Sequence, residues 1–86
     1  MYKLLIVDDN DIQVQSLLCF VDWEKFGITE IQVAQDGQEG LELFKSINPD
    51  IIITDIEMPI LNGIEMTKII REKNPDVKII FISCYE

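Results

Sequence analysis

The sequence predicts an α/β domain built on a parallel sheet with helices on both faces. Three observations lead there. First, Leu4-Leu5-Ile6-Val7 and Ile51-Ile52-Ile53 are unbroken apolar runs, the pattern of strands buried on both faces. Second, both runs stop on carboxylates, Asp8-Asp9 and Thr54-Asp55. Third, strand-like and helix-like stretches alternate as β-α-β-α-β-α-β, which requires crossover connections and a parallel sheet.

The first strand covers 3–7 and ends in Asp8-Asp9-Asn10. Asp9 or Asn10 can cap the following helix, and Asp11 suits its positive first turn. That helix runs to about Val21, with Ile12, Leu17, Leu18 and Val21 as its apolar face and Val14 and Phe20 beside it. Residues 22–27 are the exit, where Trp23 and Phe26 are expected to pack. Residues 29–34 alternate, Ile31 and Val33 against Glu30 and Gln32, as in a half-exposed edge strand. Asp36-Gly37 is a turn, and a second helix spans about 38–47 with Leu41, Phe44 and Ile47 inward. Asn48-Pro49-Asp50 stops it. The strand ending at Asp55 follows. Asn62 caps a third helix over about 63–73, whose core face includes Ile64, Ile69 and Ile70. Asn74-Pro75-Asp76 stops that helix, and 78–82 is a fourth strand. The uninterrupted first strand is central and the alternating second is an edge, so the predicted order is 2-1-3-4. The switch point between strands one and three then brings Asp8 and Asp9 beside Asp55.

The 86 residues make one domain, 1–86, with 48% apolar residues to build a core. No apolar run approaches a membrane span, and acid follows the short N-terminal run, so neither a membrane nor a secretory signal is expected. The expected location is cytoplasmic. The formal charge of −9 disfavours nucleic acid as a partner of this segment. The chain has no histidine, which excludes a histidine-based triad, and Cys19 and Cys84 fit no zinc or redox spacing. Both cysteines are expected to be reduced packing residues.

Carboxylates converging at the ends of two neighbouring strands raise one another's pKa. A hard divalent cation resolves the repulsion, and Mg²⁺ commonly takes one or two carboxylates, waters and phosphate oxygens. A carboxylate is also a competent nucleophile toward phosphorus. Asp55 is therefore the candidate centre, Asp8 and Asp9 its partners, and Ser83, ending the fourth strand, a hydroxyl for a phosphoryl oxygen. Singly, each has a duller reading: helix capping for Asp8-Asp9, a turn residue for Asp55, a strand end for Ser83. Their convergence through one strand order favours the chemistry.

The chain resembles the receiver domain of a bacterial two-component response regulator. Leu5-Ile6-Val7-Asp8-Asp9 resembles the acidic-pair motif, and residues 50–59 with Asn62-Gly63 resemble the phosphoacceptor motif. Ile80-Phe81-Ile82-Ser83 resembles the switch-hydroxyl strand. The resemblance implies a CheY-like, flavodoxin-like fold and a phosphorylation-dependent signalling switch. In it Asp55 is the phosphoacceptor, Asp9 a direct ligand of Mg²⁺, and Asp8 a ligand through water. Glu57 gives a backbone carbonyl to the metal, and Ser83 turns toward the phosphoryl group. It further implies a sensor histidine kinase as donor, only self-phosphorylation and dephosphorylation rather than enzyme activity, and relay to an output domain outside this chain. Residues 21–28 are similar to receivers joined to AraC-type DNA-binding output domains, which implies transcription regulation.

Against that pattern the sequence lacks the fifth strand, the last two helices and the lysine that pairs with the phosphoryl group. Lys78, at the start of its strand, does not replace it. Impaired phosphotransfer is therefore expected, as is a homodimer or an edge-strand or domain-swapped association through the fourth strand. The alternative is a pseudo-receiver that acts as a dimerisation module without phosphate. A haloacid-dehalogenase-like phosphatase is disfavoured by Glu57 and the lack of a cap domain. A dinucleotide-binding half is disfavoured because Asp8-Asp9-Asn10 replaces its glycine-rich turn.

Overall fold

The computed structural model describes residues 1–82. The elements are β1 (Tyr2–Val7), α1 (Asp11–Phe20), a 3-10 turn (Trp23–Phe26), β2 (Ile28–Ala34), α2 (Gly37–Ile47), β3 (Ile51–Asp55), α3 (Gly63–Lys73) and β4 (Lys78–Ile82). The strands form one parallel sheet in the order β2-β1-β3-β4. The expected order 2-1-3-4 and the edge position of the second strand are both observed.

The apolar runs explain the layering. Alternate side chains of a strand point to opposite faces, so the continuous run in β1 serves two cores at once. Leu5 and Val7 pack with Leu41 and Phe44 of α2 and Met66 and Ile70 of α3. Leu4 and Ile6 face the other way, toward Val14 of α1, with Ile28 and Ile53. Leu4, Leu5, Ile6 and Val7 are fully buried.

Short polar side chains start each helix. Gln13 N–H donates to Asn10 Oδ1 at 3.1 Å, Glu39 N–H to Asp36 Oδ1 at 2.8 Å, and Glu65 N–H to Asn62 Oδ1 at 2.9 Å. Each bond satisfies a backbone donor that the first turn leaves without a partner. Asn10 rather than Asp9 therefore caps α1, which leaves the Asp9 side chain out of the cap. α2 begins at Gly37, one residue before the expected start, because Asp36 is its cap.

Several side chains differ from expectation. On α1, Val14 is the buried residue, Leu17 and Leu18 are half-buried, and Ile12 and Phe20 are exposed. Val21 is the C-cap, in extended backbone, so α1 ends at Phe20. Trp23 does pack, and its indole N–H donates to Leu17 O at 3.1 Å, but Phe26 is exposed. Cys19 is exposed and is not a packing residue; Cys84 lies outside the described residues. On α3, Ile70 is fully buried as expected, but Met66 is buried with it and Ile64 is partly exposed, because the helix turns its 66–70 stripe to the sheet.

β4 pairs with β3 through Ile51↔Lys78 to Asp55↔Ile82 and is the outermost strand on that side among the described residues. Ile80 and Phe81 are 50% and 45% exposed there. Lys78 sits at the opposite end of the sheet from Asp55, as expected.

Candidate metal and acceptor site

Register builds the site. Val7 stands opposite Thr54 in the parallel β1–β3 pair, so the residues that follow, Asp8 and Asp55, stand side by side at the ends of the two strands. Asp9 comes next, at the bend before α1. A carboxylate oxygen from each of Asp8, Asp9 and Asp55 lies within 4.8 Å of the others. The three expected site acids are brought together.

Their environments differ. Asp8 is fully buried, Asp55 half-buried and Asp9 exposed. Asp8 Oδ1 accepts from Asn10 N–H at 2.9 Å, whereas the buried Oδ2 has no hydrogen-bond partner among the described residues. An unpartnered buried carboxylate oxygen is costly. Burial raises the Asp8 pKa above the usual carboxylate range, the Asp55 and Asp9 charges raise it further, and the Asn10 N–H partly opposes them. Asp55 Oδ1 accepts from Ile56 N–H at 2.7 Å. That bond orients the carboxylate and engages one of its two oxygens.

The donor set fits a hard divalent cation. It consists of oxygens only, clusters three acids, and includes one buried oxygen that lacks a donor. Glu57 lies two residues beyond Asp55 with an exposed side chain. Its carbonyl accepts no hydrogen bond among the described residues. Ser83 lies outside the described residues.

Some contributors were not singled out from sequence. Thr54 is fully buried and its hydroxyl donates to Asp55 O at 2.9 Å. Gly63 lies so close to Asp55 that a Cβ there would run into the Asp55 carbonyl oxygen. Its N–H donates to Ile56 O at 2.8 Å, closing the loop after Asp55. Gly37 meets the same loop, where a Cβ would stand 2.1 Å from Leu61 O. The Asn62-Gly63 pair signalled a turn but not this close approach.

Comparison with known proteins places the arrangement. Residues 4–86 match the family described as response regulator receiver domain. The chain is 36% identical over 86 residues to the transcriptional regulatory protein LnrK of Bacillus subtilis, spanning all of this chain and 39% of that protein. The receiver domain of AraT, a response regulator from Geobacillus stearothermophilus, superposes with a TM-score of 0.92 at 36% identity. It matches 98% of this chain and 65% of its own. A chain in the CheX–CheY–BeF3–Mg²⁺ complex from Borrelia burgdorferi superposes with a TM-score of 0.84 at 32% identity, over 98% of this chain and 63% of that one. The fold is the CheY-like receiver fold, and the chain belongs to the response regulator receiver domain family.

Proposed function

We propose that the chain is a phosphoacceptor switch, taking a phosphoryl group onto Asp55 from a phosphohistidine of a sensor histidine kinase. Receiver domains generally bind Mg²⁺ and generally interact with sensor kinases. The observation that carries the reading is the cluster formed by a carboxylate oxygen from each of Asp8, Asp9 and Asp55 within 4.8 Å, with a buried Asp8 oxygen that has no donor among the described residues.

Asp8, Asp9 and Asp55 would hold Mg²⁺, with the Glu57 carbonyl beside them. A bound Mg²⁺ supplies charge neutralisation for the incoming phosphoryl oxygens. Asp55 acts as the nucleophile through the oxygen that Ile56 N–H leaves unbonded. The new bond joins that oxygen to phosphorus, and the donor's phosphorus–nitrogen bond breaks. Ser83 would bond a phosphoryl oxygen and report the change. The chain is not an enzyme acting on a separate substrate, since its own carboxylate is modified. Support for the ligand chemistry comes from the Borrelia burgdorferi complex, which contains BeF3 and Mg²⁺. Relay to a transcription-regulating output domain is in keeping with the regulatory relatives; DNA binding by that domain and a place in the cytoplasm belong to the same reading. Among the described residues no helix is long and apolar enough to cross a membrane.

Fluorine NMR tests the reading. Beryllofluoride should bind when Mg²⁺ is present and fail to bind in Asp55→Asn. No binding by the unmodified chain would count against it.

A further inference from the structure

Loop 56–62 joins Asp55 to α3, and Ile60 within it has φ 72°. A β-branched residue in the left-handed region is a genuine outlier. Leu61 N–H donates to Pro59 O at 2.8 Å, closing a three-residue γ-turn around Ile60. Such a turn with positive φ is rare and strained. Packing does not hold Ile60 there, because its side chain is 80% exposed. The other non-glycine residue with positive φ among the described residues is Asn48, a type that tolerates it and that caps α2.

The force that holds Ile60 comes from the loop's grips. Gly63 N–H is bonded to Ile56 O, and Gly63 itself abuts the Asp55 carbonyl. On the other side the Leu61 carbonyl is pressed against Gly37. Between these two glycine contacts the backbone must reverse sharply, and the reversal falls on Ile60. The Ile56 peptide links this strain to the site: its N–H bonds Asp55 Oδ1 and its carbonyl takes the Gly63 N–H.

We infer that loop 56–62 is a strained strap poised to open beside Asp55, with Ile60 setting how readily it opens. Strain held in the closed loop is released on opening, so Ile60 raises the open population. Opening breaks the Gly63–Ile56 bond and loosens the peptide that orients the Asp55 carboxylate. The regulatory consequence rests on the proposed role of Asp55; the strain does not.

Amide hydrogen exchange, read at Leu61 and Gly63 against Ile6 in β1, tests it. Ile60→Asn accepts the left-handed backbone and should slow exchange at Leu61 and Gly63 by about fivefold or more while raising the melting temperature. Ile60→Gly should slow the same two amides, and Ile60→Val, which keeps the β-branch, should match the wild type. Unchanged or faster exchange in Ile60→Asn overturns the inference. So does an unfolded or destabilised Ile60→Asn chain, or an equal slowing in Ile60→Val. Failure of Asp55 to accept a phosphoryl group would leave these exchange rates as they are, so the two readings fail separately.

Discussion

Replacing Gly63 by alanine should damage fold and site together. The added Cβ would lie 2.0 Å from Asp55 O, 3.1 Å from Asp55 C and 3.2 Å from Ile56 Cα. Real Cβ atoms essentially never come within 3.0 Å of another group, so the β3 end and the start of α3 must separate by about 1 Å. The obstacle is backbone, which cannot swing aside as a long side chain can. Overpacking of this kind costs about 1–3 kcal/mol. Separation also stretches the Gly63 N–H to Ile56 O bond, now 2.8 Å, adding about 1 kcal/mol. A total of about 2–4 kcal/mol lowers the melting temperature of a domain this size by roughly 8 °C or more. Thermal unfolding followed by circular dichroism measures it, with Glu72→Ala on the exposed face of α3 as the control. The variant should also gain less stability from Mg²⁺, because the Asp55 carboxylate moves relative to Asp8 and Asp9. A Gly63→Ala chain with the melting temperature and Mg²⁺ response of the control would refute the close approach and the role assigned to it.

The buried Asp8 predicts a pH effect in the metal-free chain. Its folded-state pKa is raised by burial and by Asp55 and Asp9. Its contribution to stability is therefore fully present below the unfolded pKa and is lost as pH rises through the folded value. Asp8→Asn should flatten that decline, stabilise the metal-free fold at neutral pH and remove the gain from Mg²⁺; denaturant melts across pH check this, and an unaltered pH slope would sink it. Met66→Ala should cost about 2–5 kcal/mol in urea unfolding, because Met66 is fully buried in the core that α2 and α3 share. A loss no larger than that of Ile64→Ala would contradict the observed rotation of α3.

The sheet was legible because unbroken apolar runs and strand-ending acids carry long-range information. A run buried on both faces must be central, and centrality with right-handed crossovers leaves few strand orders. The meeting of Asp8, Asp9 and Asp55 follows from that order. The face of α1 was harder to read, because Ile12, Val14, Leu17, Leu18 and Phe20 surround the helix. Periodicity alone does not choose among them; contact with the sheet chooses Val14. On α3 the expected core face of Ile64, Ile69 and Ile70 holds at Ile70, while Met66 and Thr67 are buried in place of Ile64. The loop after Asp55 was the least legible part. Isoleucine is among the last residues expected at positive φ, and the close approaches that flank its loop are made by Gly37 and Gly63, at the starts of two different helices.

The measurement that bears most directly on the account is labelling with a small acyl phosphate, followed by peptide mapping with and without Mg²⁺. One phosphoryl group should appear on Asp55, vanish when the cation is chelated, and be absent from Asp55→Asn and strongly reduced in Asp9→Asn. Label on any other residue, or labelling of Asp55 indifferent to Mg²⁺ and to the loss of Asp9, would contradict a shared pocket of three acids.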